Sequence, residues 1–435
     1  MKLETAKSLL LVVLIGTSMI LTFGMWNYQA DYDPLNERSV EAALRGVEKS
    51  VDEIIMPSDI IFKQEGNYYT HANPNLKEQF YDRLQEFRIT EMERLPVEEE
   101  RTSSNYEIEV IFPQEVPFLL FDRILQFEDE TAPFPTFSID RFYITFDPNS
   151  KSLNLEFISV DGREKVEAEV TSTSRYQEVW DEMNRLQSED YQAMTLIEST
   201  ETNIYIPREV PAMHPLSIFF EQMDKSVLQE MLFENTSGIR GSATPGNGYL
   251  YATDVRQLTI ERNVMEYIYL EQTESMPDLN LIENSIQNIN GHSGFTEDFR
   301  LMNIDNDDTI TYQMYYEGYP VFQGSSSDIS TIKQTHSNQH LLEYKRPAIY
   351  LDTTDIITKT KKEMRSGEEL LEDLAIIPKI DMDAINDLKV GYKIQVETDD
   401  NGDYVSMEPE WFMKVNNSWS AVPYNQPGDA ARGGD

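Results

Sequence analysis

The sequence predicts an α+β protein: a single N-terminal transmembrane helix, then a multi-domain extracytoplasmic region of helices packed on antiparallel sheets. Three observations carry that prediction. An uncharged apolar run opens the chain, helical and alternating hydrophobic periods interleave after it, and tight-turn signals separate the alternating runs.

The apolar run extends from Ser8 to Trp26, nineteen residues without a formal charge. As a helix it reaches about 28 Å at roughly 1.5 Å per residue, close to the roughly 30 Å of a bilayer's hydrocarbon core. Lys2 and Lys7 precede it, and Asp31 and Asp33 follow. That asymmetry sets the N-terminus in the cytoplasm. Trp26 and Tyr28 lie at the far end, where amphipathic rings favour the membrane–water boundary. A cleaved signal peptide needs a small-x-small site. Here "MWNYQADY" offers bulky residues instead, so the run reads as an uncleaved anchor in the lipid bilayer. The span has no GxxxG. Ser18 and Thr22, at i and i+4, share a stripe with Leu11, Ile15 and Met25, and that face is the candidate contact for a partner helix.

Beyond the anchor, Val40, Leu44, Val47, Val51 and Ile54 fall at helical spacing within 37–56, predicting an amphipathic helix just outside the membrane. Residues 73–95 predict a second helix, with Asn73 as N-cap and Pro74 in the first turn. An internal repeat follows. Pro113, Glu115, Val116 and Pro117 match Pro207, Glu209, Val210 and Pro211 at a constant offset of 94. Each copy has a helical segment before it, another after it, and then a run of strands. In the first copy these are "FSIDRFYITF", "SLNLEFISV" and "EKVEAEV", with Asp161-Gly162 as a hairpin turn. In the second they are "GYLYATD", "RQLTIE" and "MEYIYLEQ". The P-x-E-V-P motif itself reads as a strand end stiffened by two prolines, in preference to a ligand loop.

The last third predicts a helix, a Gly-bracketed loop and a strand in "LNLIENSIQNINGHSGFTEDFRL". Antiparallel strands follow in "DDTITYQMYYEGYPVFQ" and "LLEYKRPAIYLDTT", with a turn at Glu317-Gly318. Ser366 and Glu369 form a capping box for the helix in "SGEELLEDLA". Three strands close the region, two of them joined at Asn401-Gly402. The expected divisions are a cytoplasmic N-terminus (1–7), the transmembrane helix (8–28), a juxtamembrane helical region (29–96) and two α+β repeats (97–174 and 175–272). Two helix-plus-sheet modules (273–358 and 359–424) and a flexible tail (425–435) complete the chain.

Composition restricts the chemistry. With 36 basic against 77 acidic residues the formal net charge is −41, which repels nucleic acid and anionic headgroups. The apolar fraction of 40%, with 23 Tyr and 20 Phe, is ample for real cores. The absence of Cys excludes disulfides, thiol nucleophiles and Cys-based metal sites, and fits a Gram-positive cell exterior. His336 and His340 have ligand-pair spacing but lack the Glu of a metalloprotease helix and sit in a polar stretch. "GHSGF" (291–295) starts like a nucleophile elbow but has Phe295 in place of the last glycine. "DNDDTITYQMYYE" and "DDNGDYVSMEPE" imitate calcium loops with the glycine missing or misplaced. No catalytic, cofactor-binding or metal residue is assigned, no small-molecule substrate is inferred, and the chain reads as a non-enzyme.

The opening "MKLETAKSLLLVVLIGTSMILTFGMWNYQADYD" resembles the N-terminus of the YycH (WalH) family, and the likeness runs through the whole chain. "INGHSGFTEDFRL", "TITYQMYYEGYPVF" and "LLEYKRPAIYLDTT" resemble the module shared with YycI, and the final "VGYKIQV" to "NNSW" stretch is similar to PepSY-type modules. The resemblance implies a membrane-anchored regulator of the WalK–WalR (YycG–YycF) two-component system, without catalysis. It further implies contact with the sensor kinase WalK and with YycI, chiefly through membrane helices. The alternative is an extracytoplasmic cell-wall hydrolase or protease inhibitor.

Overall fold

The computed structural model describes residues 45–97, 101–128, 134–198, 203–233, 238–270, 280–305, 307–324, 328–337, 340–377, 380–400 and 402–423. All fall within one unit, Leu44–Asp435. The expected transmembrane helix, the face formed by Leu11, Ile15, Ser18, Thr22 and Met25, and the tail lie outside them. Among the described residues no helix is long and apolar enough to cross a membrane.

Two large sheets organise these residues. The first contains β1 (Asp59–Gln64), β2 (Asn67–His71), β3 (Arg88–Pro96), β4 (Tyr106–Pro117), β5 (Gln126–Phe127), β6 (Ser138–Asp147), β7 (Ser152–Ile158), β8 (Glu164–Val170), β9 (Tyr191–Ile197) and β10 (Ile204–Pro207). Their spatial order is β10-β9-β2-β1-β4-β6-β7-β8-β3-β5. Three helices accompany it: α1 (Val51–Ile54), α2 (Pro74–Gln85) and α3 (Thr173–Asn184). Asn73 caps α2 through its side chain, which accepts from the Asn75 amide at 3.0 Å, and Phe80, Tyr81 and Leu84 supply the buried stripe.

The second sheet is built from β11 (Leu216–Gln222), β12 (Arg240–Ala243), β13 (Tyr249–Ala252), β14 (Arg256–Glu261), β15 (Val264–Tyr269), β16 (Asp298–Ile304) and β17 (Thr309–Tyr316). It continues with β18 (Tyr319–Gln323), β19 (Thr331–Ser337), β20 (His340–Pro347), β21 (Ile349–Thr358), β22 (Ile385–Asp399), β23 (Gly402–Val415) and β24 (Ser418–Ala421). Helices α4 (Lys225–Leu232), α5 (Leu281–Gly291) and α6 (Gly367–Ile376) belong to this half. Ser366 accepts from the Glu369 amide at 3.2 Å while Glu369 accepts from the Ser366 amide at 2.9 Å, the expected reciprocal cap on α6.

The locally encoded elements fall where the pattern places them. The meanders β6-β7-β8 and β13-β14-β15 pair in sequence order. Gly162 takes φ +68° in its turn, and Glu317 and Gly318 take +48° and +76° between β17 and β18.

Other expectations need correction. The helix expected over 73–95 ends at Gln85, and Arg88–Pro96 is a strand. Its backbone pairs with β8, and Glu91 at φ +53° absorbs the bulge between Thr90 and Glu93. In 37–56 only Val51–Ile54 of the described part is helical. Ser50 starts that helix by donating its backbone N–H to Glu53 at 2.8 Å, while Val47 is already committed to a β-bridge with Phe295. The region 29–96 therefore supplies β1, β2 and β3 as well as helix.

The repeat also behaves differently from two separate units. A helix and two strands do recur, as α2-β3-β4 and α3-β9-β10. However, β3 pairs with β8 and β5 while β9 pairs with β10 and β2, so the second copy's strands complete the first sheet. The first motif lies in β4, where the register shifts between Ile111 and Val116, and Pro117 leads into a 3-10 turn that buries Phe118 and Phe121. Likewise 273–358 and 359–424 share one sheet: β18 pairs in parallel with β22, and β11 joins β21 to β23.

Strand β10 joins the halves. Its period of two sends Ile204 and Ile206 into a cluster with Leu370, Leu374, Ile385, Leu388 and Trp411 of the second half. Tyr205 faces the other way, onto Ile61 and Met194 of the first.

Candidate functional site

The boundary between the two sheets is lined with charge. Lys389 on β22 reaches Asp59 on β1 at 2.8 Å, across 330 residues of sequence, and Asp387 on its own strand at 3.4 Å. Burial alone would lower its ammonium pKa, but Asp387 and Asp59 outweigh that and hold it above the usual lysine range. Burial raises the Asp387 carboxyl against the pull of Lys389. Nearby, Arg300 on β16 pairs with Glu78 of α2 and with Asp298, both at 2.6 Å, and lies 4.4 Å from the Tyr315 ring centroid. Lys77 of α2 donates to the Ser58 carbonyl at 2.6 Å. Burial pushes it down to about 8, with Asp59 opposing and Lys389 and Arg300 reinforcing.

A cleft of about 540 Å³ opens beside this seam. Its walls come from both sheets: Pro113, Gln114 and Glu115 of the first P-x-E-V-P motif, Asn203 and Tyr205 beside and on β10, Asp383, Asn386 and Asp387 where β22 begins, and Lys414, Asn416 and Asn417 at the end of β23. Asn416 and Asn417 take φ +49° and +60° in the β23–β24 turn, a conformation that asparagine tolerates well. A narrower recess of about 100 Å³, lined by Lys77, His71 and Lys389, shares Ser58, Asp59 and Tyr205 with it. Arg141 is held by Glu109 at 2.8 Å and by Asp140 at 3.1 Å, and the Tyr205 hydroxyl donates to Glu109 at 2.7 Å. Among the described residues the Lys414 ammonium has no hydrogen-bond or ion-pair partner, and burial lowers its pKa despite Asp387.

A second junction ties the first described residues to the second sheet. Val47 and Phe295 exchange both backbone hydrogen bonds, at 2.8 and 2.9 Å. Asn290 accepts from the Lys49 amide at 3.1 Å and donates to the Lys49 carbonyl at 2.8 Å. The Lys49 ammonium reaches Asp298 at 2.7 Å, and Arg45 reaches Glu221 at 3.1 Å. The approach is too close for side chains at two glycines: a Cβ on Gly46 would strike the Ser293 carbonyl, and one on Gly294, which has φ +72°, would strike that of Val47. Buried Arg346 braces the loop by donating to the Gly294 carbonyl at 3.0 Å. Asp298 thus joins strap and seam. Burial would raise its carboxyl, but Arg300 and Lys49 hold it below the usual range.

The sequence motifs that imitate active sites have structural places. The "GHSGF" serine, Ser293, sits at φ +68° in the loop that receives Val47. His336 and His340 face a β-hairpin rather than a helix, with His340 opposite Ser337 and buried His336 beside Gln334 at 3.1 Å. Asp305, Asp307 and Asp308 lie between β16 and β17, and Asp399 and Asp400 lie where β22 ends before β23. Lys389, Asp59, Asn290 and Lys414 were not singled out from sequence. Each is an ordinary strand or helix residue, and the partners of Lys389, Asp59 and Asn290 lie far along the chain.

Comparison with known proteins covers nearly the whole chain. The family described as YycH protein, N-terminal domain, matches residues 4–188, and YycH protein, C-terminal domain, matches 201–429. The two-component system WalR/WalK regulatory protein YycH of Bacillus subtilis (strain 168) is 22% identical over 441 residues, spanning 96% of this chain and 95% of that protein. The crystal structure of YycH from Bacillus subtilis shares the fold with a TM-score of 0.69 at 17% identity, covering 87% of this chain and 99% of that one.

Proposed function

From the premise that this chain belongs to the YycH family, we propose that it is a non-enzymatic regulator of a WalR/WalK-type two-component system, anchored by its 8–28 helix with the sheets outside the cell. It contacts the sensor kinase and YycI, chiefly through the helix face of Leu11, Ile15, Ser18, Thr22 and Met25, and its last modules are of the YycI and PepSY type. The name of the Bacillus relative supports the signalling role. The observation that carries the mechanism is the strap. The residues that follow the anchor segment are locked to Phe295, Asn290 and Asp298, hundreds of positions away. A displacement of the second sheet therefore acts on residues 45–50.

Purification of the tagged full-length protein from solubilised membranes tests the partnership; kinase and YycI should come with it, and their absence rejects it. Protease added to protoplasts should destroy a C-terminal tag, and a protected tag rejects the topology. For the helix face, Ser18→Leu with Thr22→Leu should change output from a reporter driven by the response regulator. A single interhelical hydroxyl contact of about 0.6 kcal/mol corresponds to about threefold in a two-state equilibrium. Wild-type output at matched membrane levels rejects that face.

A further inference from the structure

We propose that the cleft between the two sheets binds a short zwitterionic peptide, its carboxylate directed toward Lys414 and its amine held at the rim by Glu115 and Asp383. The volume, about 540 Å³, lies within the range of small-molecule sites. Two nearby cations are already matched: Arg141 by Glu109 and Asp140 within the first sheet, and Lys389 by Asp59 across the seam and by Asp387. What remains has a polarity. One ammonium group of the lining, that of half-buried Lys414, has no carboxylate within ion-pair distance among the described residues. At the mouth lie two exposed carboxylates, Glu115 and Asp383, likewise without a cation at ion-pair distance among the described residues. A carboxylate bound there would give Lys414 the direct ion-pair contact it lacks, and a charge-assisted hydrogen bond is the strong kind. The lining also includes Asn203 and Asn416. A side-chain amide offers both a donor and an acceptor, the complement of a peptide unit.

The test is saturation-transfer NMR on the full chain in detergent, with trialanine, N-acetyl-trialanine and trialanine amide as probes. Trialanine should bind, and capping either end should weaken binding about tenfold, the effect of losing one hydrogen bond to a charged group. Lys414→Met should abolish the preference for the free carboxylate, while Lys414→Arg, which keeps the charge, should retain it. Glu115→Gln, on the exposed rim and so without consequence for folding, should reduce the penalty of N-acetylation. No transfer to any probe up to roughly 10 mM, which corresponds to binding weaker than about 3 kcal/mol, overturns the proposal. Equal transfer to all three, or carboxylate preference that survives in Lys414→Met, overturns it as well.

Discussion

The strap at residues 45–50 and the seam around Lys389 both tie together parts of the chain that are far apart in sequence, but they use different chemistry. At the strap uncharged groups share the holding with the Lys49–Asp298 ion pair: two backbone hydrogen bonds join Val47 and Phe295, and the Asn290 amide matches both backbone polar groups of Lys49. Val47 itself stays 65% exposed, so little apolar burial supports it. At the seam the contacts are ion pairs largely withdrawn from water, such as Arg300 with Glu78 and Lys389 with Asp59. A neutral hydrogen-bonded tie loses only its own modest net energy when one member is removed. A buried ion pair loses more, because the surviving partner is left charged and unsolvated. The neutral contacts of the strap should therefore open at a lower cost than the ion pairs of the seam.

The sharpest way to break this contrast is at Lys389. Lys389→Met leaves Asp59 and Asp387 facing each other, and should cost about 3–5 kcal/mol in urea unfolding followed by tryptophan fluorescence. Adding Asp59→Asn and Asp387→Asn should recover much of that loss. A cost below about 1 kcal/mol for Lys389→Met would place the seam with ordinary surface ion pairs.

The second prediction uses pH, because the two halves carry buried groups shifted in opposite senses. Glu297, beside the strap, is pushed up to about 7 from 4.5 by burial, against a hydrogen bond from the Leu351 amide. Its folded pKa lies above the unfolded one, so its stabilising effect is complete below pH 4.5 and disappears as pH rises through 7. The range corresponds to about 3 kcal/mol. His71, in the first sheet between Phe62 and Tyr191, is lowered to about 3 from 6.5 by burial first and then by Arg83, Lys77 and Arg185. Its contribution is present above pH 6.5 and is lost as pH falls toward 3. Relative to wild type, Glu297→Gln should gain stability as pH rises from 4.5 to above 7, and His71→Phe should gain as pH falls below 6.5. Denaturant midpoints across that range check both; parallel pH profiles for the two variants would remove the distinction.

Smaller and more local is Gly294→Ala. The side chain meets the Val47 carbonyl at a positive φ, an effect of about 1–3 kcal/mol. Hydrogen exchange should accelerate at the Val47 amide while the seam strands remain protected. Spread of the exchange into β22 would mean that strap and seam open as one. The smallest effect serves as a reference far from both ties: Ser366→Ala removes one side of the α6 cap and should cost about 0.5–2 kcal/mol by thermal melting, with exchange at Val47 unchanged.

What was legible in the sequence follows the distance between a residue and its partner. The β6-β7-β8 meander, the Glu317-Gly318 turn and the Ser366–Glu369 cap each depend on neighbours within a few positions, and each is written in turn residues, alternation and cap residues. The sequence also determined the acidity, the absence of cysteine and the family. Only the tertiary structure decided that Arg88–Pro96 is a strand, that β9 and β10 complete the first sheet, and that Lys49 meets Asp298 and Lys389 meets Asp59. Alternation records which face of a strand is buried but not which strand lies beside it. A charged side chain 330 residues from its partner looks, in sequence, like any solvated lysine.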